Sequence, residues 1–369
     1  MNKKITAALT AFAMCFSFAG CSQNAENEKV ENTSIDAANK IEATSAASSE
    51  TKAQENSTDS ALDAEKELSG KVVVYMPSPS GLNEKYIADF EEKTGVDVEL
   101  FEGTTGEILA RLETEKENPV ADVVVLASWS DGLAMKETGQ LMSYTPANVD
   151  KVYEGWIDED STLFGTSASA LGVIYNTTIV PELSADWGEL ANEEYKDLIA
   201  IPDPEKSGSC KDFLAGYIYA NGESGWTVWE NLADMGMTVP GANKAALESV
   251  TTGEKGILVA GVDYNAYSSI KKGEPLEIYY PESGTVINPR PAMILNTSKN
   301  VDNAKAFVDY LLSDSAQQLV AEAYLLPGRS DVTCADRTNV SDIPTLDIDW
   351  EEMSKNSDAV AAKLNELCK

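Results

Sequence analysis

Between residues 71 and 132 short apolar runs alternate with stretches of helical period, and that alternation leaves few folds open. Lys71–Met76 (KVVVYM) is a continuous apolar run of the kind found in sheets covered on both faces. Leu82 to Lys93 carries Tyr86, Ile87 and Phe90 on one helical face, and Thr94-Gly95 stops it. Val96–Phe101 is a second strand. Ile108, Leu109 and Leu112 mark a second helix, which Asn118-Pro119 break. Ala121–Ala127 is a third strand, and Ser128 to Gly132 open a third helix. The order β-α-β-α-β-α predicts a parallel sheet with right-handed crossovers.

Three loops then lie at the carboxyl ends of three parallel strands, the edge where open α/β sheets bind ligands. They carry Ser78 and Ser80, Thr104 and Thr105, and Ser128. Each precedes a helix N-terminus, whose free N–H groups and dipole favour an anion. The device recurs further on. A predicted strand, Asp197–Ile201, leads into Pro202-Asp203-Pro204, then Ser207-Gly208-Ser209, then a helix with Phe213, Leu214, Tyr217 and Ile218 on one face. Any one of these loops reads as a plain N-cap. Four of them together point to shared ligand duty. Trp129 either stacks on a ligand or packs.

Phe164–Asn176 reads as a long strand able to cross between lobes, with Ser167 and Ser169 on one face. Pro181 to Lys196 is a short helical connection, and Trp226 to Met235 and Leu247–Thr252 are helical. Gly256–Val262 is an apolar strand that ends at Asp263-Tyr264. Glu277–Tyr280 is another strand, whose Tyr279 and Tyr280 face opposite ways, one toward the core. Val286–Leu295 is extended, and Pro289 and Pro291 argue against a central place in a sheet. Two amphipathic helices follow, and Trp350–Leu367 is a closing helix.

Composition narrows the chemistry. The chain has no histidine, which removes Ser-His-Asp and Cys-His catalysis and most zinc sites. No Gly-x-Ser-x-Gly appears, and 61 acidic residues make some close carboxylate pair inevitable, so a hydrolase gains no support. A formal charge of −33 argues against nucleic acid and anionic membrane faces as partners. An anionic ligand would have to be held by local dipoles against that field. Cys15 lies in the leader and Cys21 follows it. Cys210, Cys334 and Cys368 remain, an odd set in which Cys334–Cys368 is a possible pair.

The front of the chain places it. Met1 to Lys4 is basic, Ile5 to Phe18 is apolar and short, and Ala19-Gly20 precede Cys21. This is a secretory signal, too short for a membrane span. It closely resembles a bacterial lipoprotein signal, which implies cleavage after residue 20 and lipidation of Cys21 at the outer face of the cell membrane. Residues 21–69, poor in large apolar side chains, read as a tether. Residues 70–369 suit two lobes.

A set of local sequences carries a wider resemblance. It comprises Lys71–Tyr75, Phe90 to Gly95, Gly106 to Leu112 with Ala121-Asp122, Pro202 to Gly208, Tyr280 to Thr285 and Ala304 to Leu312. Together they resemble the extracellular solute-binding proteins of ABC importers, in the branch of ferric-iron, sugar-phosphate and 2-aminoethylphosphonate receptors. The resemblance covers about residues 70–330. It implies an α/β, two-lobed, type II periplasmic-binding-protein-like fold. Each lobe is a mostly parallel sheet flanked by helices, with a ligand cleft between. One lobe would be 70–166 plus 292–369, the other 167–291. It further implies a monomer, no enzymatic activity, no cofactor, and an ABC permease as partner. A sensor kinase in the membrane is the alternative partner.

By that resemblance Ser207, Gly208 and Ser209 cradle the anion, and Ser78, Ser80, Thr104, Thr105 and Ser128 converge from the other lobe. Asp263 would read hydroxyl or amine groups of the ligand. Arg290 either clamps an anion or pairs with a surface acid. Ferric receptors of the branch use tandem tyrosines, and here that position holds Asp263-Tyr264. Ferric iron as cargo, held by Asp263 and Tyr264 with Glu282 as a third donor, is therefore the alternative to a small phosphorylated or phosphonate-like anion.

Overall fold

The computed structural model describes residues 68–369. The leader, Cys21 and nearly all of the expected tether lie outside the described residues. The elements run β1 (Lys71–Met76), α1 (Ser80–Thr94), β2 (Asp97–Glu102), α2 (Thr105–Thr114), β3 (Val123–Val125), α3 (Trp129–Glu137), β4 (Leu141–Met142) and β5 (Phe164–Asn176). Then come β6 (Ile199–Ala200), α4 (Gly208–Asp234), α5 (Asn243–Thr251), β7 (Ile257–Val262), α6 (Asp263–Lys271), β8 (Leu276–Tyr279) and β9 (Ile287–Leu295). The chain closes with α7 (Val301–Leu311), α8 (Asp314–Glu322), β10 (Leu326–Pro327), α9 (Trp350–Ser354) and α10 (Ser357–Leu367).

The sheet order is β2-β1-β3-β9-β5-β7-β6, with β10 and β8 also on β5 and β4 also on β9. β2, β1 and β3 are parallel, as the first alternation predicts. β5 keeps the limits read from sequence and is buried along its whole length. Its first part pairs with β9 and β10, and its second part with β7 and β8. It therefore links two half-sheets, each buried under its own helices. Val72, Val74, Phe90 and Phe307 fill the first, and Trp187, Phe213 and Trp229 fill the second.

Three elements differ from the sequence reading. β9 sits centrally between β3 and β5 despite Pro289 and Pro291. Leu126 N–H donates to Pro291 O and Leu295 N–H to Asp122 O, so odd-numbered residues of β9 turn their backbone groups toward β3. β3 ends at Val125, and the missing proline donors fall past that end, where no strand needs them. β6 is only Ile199–Ala200, because Asp197 adopts φ 62 and gives its N–H to Met235 O. The closing helix is broken into α9 and α10.

The C-terminal passage also departs from the expected lobe assignment. Thr285 N–H reaches Pro344 O, α9 lies against α3 and α4, and α10 lies on α4. Lys363 sits 3.8 Å from the centre of the Trp226 ring, and Asn365 donates to Asp203 and Glu205. Residues beyond about 337 thus lie across both half-sheets, with α9 on α3 as well as on α4 and α10 on α4, where the expectation placed them with the first alone.

Candidate functional site

Five helix N-termini surround one cavity of about 410 Å³. Ser78 and Pro79 precede α1, Thr104 and Thr105 open α2, and Ser207 and Gly208 open α4. Asn243 and Lys244 begin α5, and Tyr264 and Asn265 lie in the first turn of α6. Local sequence explains the aim of these ends. Thr104 accepts the Glu107 N–H while the Glu107 carboxylate accepts the Thr104 N–H, a capping box that squares α2 to the cavity. Ser207 accepts the Cys210 N–H and bonds Asn243, which joins the starts of α4 and α5. At Gly208 a β-carbon would stand 2.7 Å from Ser128 Cβ and 3.0 Å from Ala127 O. Only glycine lets α4 approach the first half-sheet so closely.

Arg290 lines this cavity from β9. It is 1% exposed, and its Nε and Nη2 have no hydrogen-bond partner among the described residues. Its guanidinium carbon lies 5.9 Å from the centre of the Tyr264 ring. A buried guanidinium with two idle donors is costly, and an anion in the cavity would relieve that cost. Among the described residues Arg290 pairs with no surface acid. Lys206, itself paired with Asp203, and Lys244 also line the cavity, as do Glu102 and Glu107.

The sequence-derived residues divide. Ser78, Thr104, Thr105, Ser207, Gly208, Tyr264 and Arg290 line the cavity. Ser80 is the first residue of α1. The Thr105 hydroxyl accepts the Ala127 N–H. Ser209 is buried beside the lining and bonds Ser207 and Asn243. Ser167 and Ser169 pair with Arg290 and Asn288 across β5 and β9, underneath the lining. Trp129 packs against Trp350 and does not reach the cavity. Glu282 is exposed in the turn after β8 and is not among the lining residues.

Asp263 is the largest correction. Its carboxylate is fully buried and pairs with Arg337, which has the same burial. It also accepts the N–H groups of Ala170 and Tyr264 and the hydroxyl of Tyr280. Fully buried and absent from the lining, Asp263 is out of reach of a ligand hydroxyl or amine. Tyr280 is held by this cluster and Tyr279 donates to Ala185 O, so both tyrosines are half-buried and neither faces the cavity.

Ser128 is likewise committed. Its hydroxyl donates to Asp212 Oδ1 at 3.0 Å and accepts the Asp131 N–H. Asp212 Oδ2 accepts the Trp129 N–H at 2.7 Å. The N-terminus of α3, expected to face ligand, is filled by a carboxylate from α4. Lys211 beside it pairs with Asp131 and Asp358. Sequence reasoning overlooked Asp212 and Lys211, although adjacent charges ahead of Phe213 and Leu214 in a buried helix were a usable signal.

Burial pushes the Asp212 carboxyl up to about 7, with Asp131 adding to the rise and Lys211 opposing it. A carboxyl raised on folding keeps its proton longer in the native state than in the unfolded chain. Through this group stability falls as pH rises from about 4 to about 7, by at most about 1.4 kcal/mol per pH unit. Asp212→Asn removes that slope and still offers an oxygen to Trp129 N–H. The melting advantage of the variant over the parent should therefore widen between pH 5 and pH 8. A difference independent of pH would refute this assignment.

Among the described residues no group of three or more Cys, Asp or Glu side chains is arranged to hold a metal ion.

Comparison with known proteins bears on the family and the fold. Residues 118–356 match the family described as bacterial extracellular solute-binding protein. Iron uptake protein A1 of Synechocystis is 25% identical over 254 residues, covering 65% of this chain and 70% of that protein. A putative 2-aminoethylphosphonate-binding periplasmic protein of Salmonella typhimurium is 26% identical over 258 residues, covering 67% and 74%. The periplasmic binding protein AfuA of Actinobacillus pleuropneumoniae, solved with fructose-6-phosphate bound, superposes with a TM-score of 0.73. It shares 22% identity, covering 81% of this chain and 98% of AfuA, and establishes the α/β periplasmic-binding-protein fold. The chain belongs to the bacterial extracellular solute-binding proteins, the non-enzymatic substrate-binding components of ABC transporters.

Proposed function

We propose that this protein captures a small organic anion with a phosphate-like headgroup and delivers it to an ABC permease. The observation that carries the reading is Arg290, buried, unpaired and on the cavity wall. Around it the starts of α1, α2, α4, α5 and α6 supply N–H donors and positive dipole ends. The headgroup would bond Arg290 bidentately and draw the two half-sheets together, because each contributes donors to one anion. The lipid anchor at Cys21, the outer-face location and the monomeric state belong to the same proposal.

Ferric iron fits this cavity less well. Iron receptors need several anionic oxygen donors; here Tyr264, Glu102 and Glu107 line the cavity, but Glu102 already accepts Asn83, Glu107 accepts the Thr104 N–H, and Asp263 is bound to Arg337. A buried guanidinium 5.9 Å from the Tyr264 ring would also repel a trivalent cation.

The test is a thermal-shift panel on the full chain stripped of ligand. Inorganic phosphate, a sugar phosphate, an aminoalkylphosphonate and ferric citrate would be compared. A ligand that binds only the native form raises the melting temperature by mass action, by about 2.7 kcal/mol of stability at a hundredfold excess over Kd. An organophosphate or phosphonate should give the shift. A shift with iron alone, accompanied by a tyrosinate-to-iron absorbance band, would invert the assignment.

A further inference from the structure

We propose that Cys210 and Cys368 are partners in a disulfide that fastens the C-terminal helix to the first turn of α4. The pairing open from sequence was Cys334 with Cys368. The structure sets Cys334 elsewhere, its thiol on Leu325 O and its N–H on Asn339. Cys210 and Cys368 instead meet the same short stretch of chain. The Cys210 thiol lies 3.3 Å from Pro202 O. The next residue, Asp203, accepts Asn365 Nδ2 at 3.0 Å. Asn365 and Cys368 are three apart at the end of α10 and so share a face. Cys368 also lines a recess with Glu205 and Thr238, on the flank of that stretch. Two further contacts hold α10 on α4, Asp358 with Lys211 and Lys363 over Trp226, and Asn365 ties α10 to Glu205 in the loop before α4.

Both residues are free thiols here. Burial pushes Cys368 up to about 11, and it raises Cys210 too, with Asp203 and Cys368 adding to that rise. The chemistry needs a disulfide oxidant, RSSR, small or enzyme-bound, of the kind that oxidising extracytoplasmic compartments supply. The Cys368 thiolate attacks RSSR and expels one RS⁻. The Cys210 thiolate then attacks the Cys368 sulfur of the mixed disulfide and expels the second. Two thiols and RSSR become one protein disulfide and two RSH. The raised thiols make this slow at neutral pH and faster in mild alkali. Cys368, half-buried at the cap of α10, is the more accessible of the two partners.

The experiment uses the full chain, reduced and then incubated with oxidised glutathione in mild alkali. It is alkylated in denaturant and digested without reduction. The expected product is a peptide joining Cys210 to Cys368, lighter by two hydrogens than the separate peptides. The oxidised protein should melt several degrees above the reduced one. Cys334→Ser should keep both results and Cys368→Ser should lose both. Complete alkylation of Cys210 and Cys368, or a linked peptide containing Cys334, would overturn the proposal.

Discussion

Arg290→Met should lower affinity for an anionic ligand by about 30-fold or more and leave the unliganded protein at least as stable as before. Truncating one partner of a buried charged pair costs about 2–5 kcal/mol of binding, and each 1.4 kcal/mol is a factor of ten. The stability half of the expectation is the more discriminating. Arg290 is 1% exposed with two donors unused, so without ligand it is a burden on the fold. An apolar side chain of similar length removes that burden. Arg290→Lys keeps charge and loses the fork, and should fall between. Titration calorimetry and thermal melting on the same preparations read both halves. A Met variant that melts far lower while binding unchanged would show Arg290 to be a structural residue.

Asp263→Asn should destabilise the protein by about 3–5 kcal/mol, because Arg337 would be left buried without an anion. The melting temperature should fall by roughly 10 °C. Ligand selectivity should not change, since Asp263 makes no part of the cavity wall. Replacing Arg337 by Met in the same chain should recover much of the loss, because the unpaired charge is then gone. If Asp263→Asn melts normally and alters ligand preference, the carboxylate faces ligand and the Arg337 pairing does not describe the protein in solution.

Asp263 also shows where sequence reading fails. The apolar strand and the residues at its end were legible, but their direction was not. β7 carries one extra residue where its register with β5 slips, between the pairs Gly172–Gly261 and Ile174–Leu258. Ala260 there takes φ 51. Because side chains alternate along a strand, one inserted residue exchanges the faces of everything beyond it. Nothing in the run ILVAGV announces the bulge. The reverse holds for Ser207-Gly208, where local chemistry alone fixes a helix start and the position was readable. Loops at the ends of β1 and β2 were legible for the same reason. The α3 start was expected to serve a ligand, but it is taken by the chain's own Asp212, brought by a contact between residues 84 positions apart. Arg290 was ambiguous because an arginine's partner, or lack of one, is a tertiary fact. The prolines beside it misled, since their placement is forbidden only where a neighbouring strand extends far enough to need their donors.

The C-terminal passage has a mechanical consequence. Two bodies joined by a pair of adjacent strands, such as β5 and β9, can both hinge and swivel about that ribbon. Here the chain returns across α3 and α4 through Trp350 and Asn365, a third attachment set apart from the ribbon. Attachments at separated places act as a belt. Motion that twists one half against the other must stretch the belt, whereas motion about a single line through the attachments need not. Freedom is thus reduced toward one axis, and a mouth that opens about one axis presents the same two lips to its surroundings in every cycle.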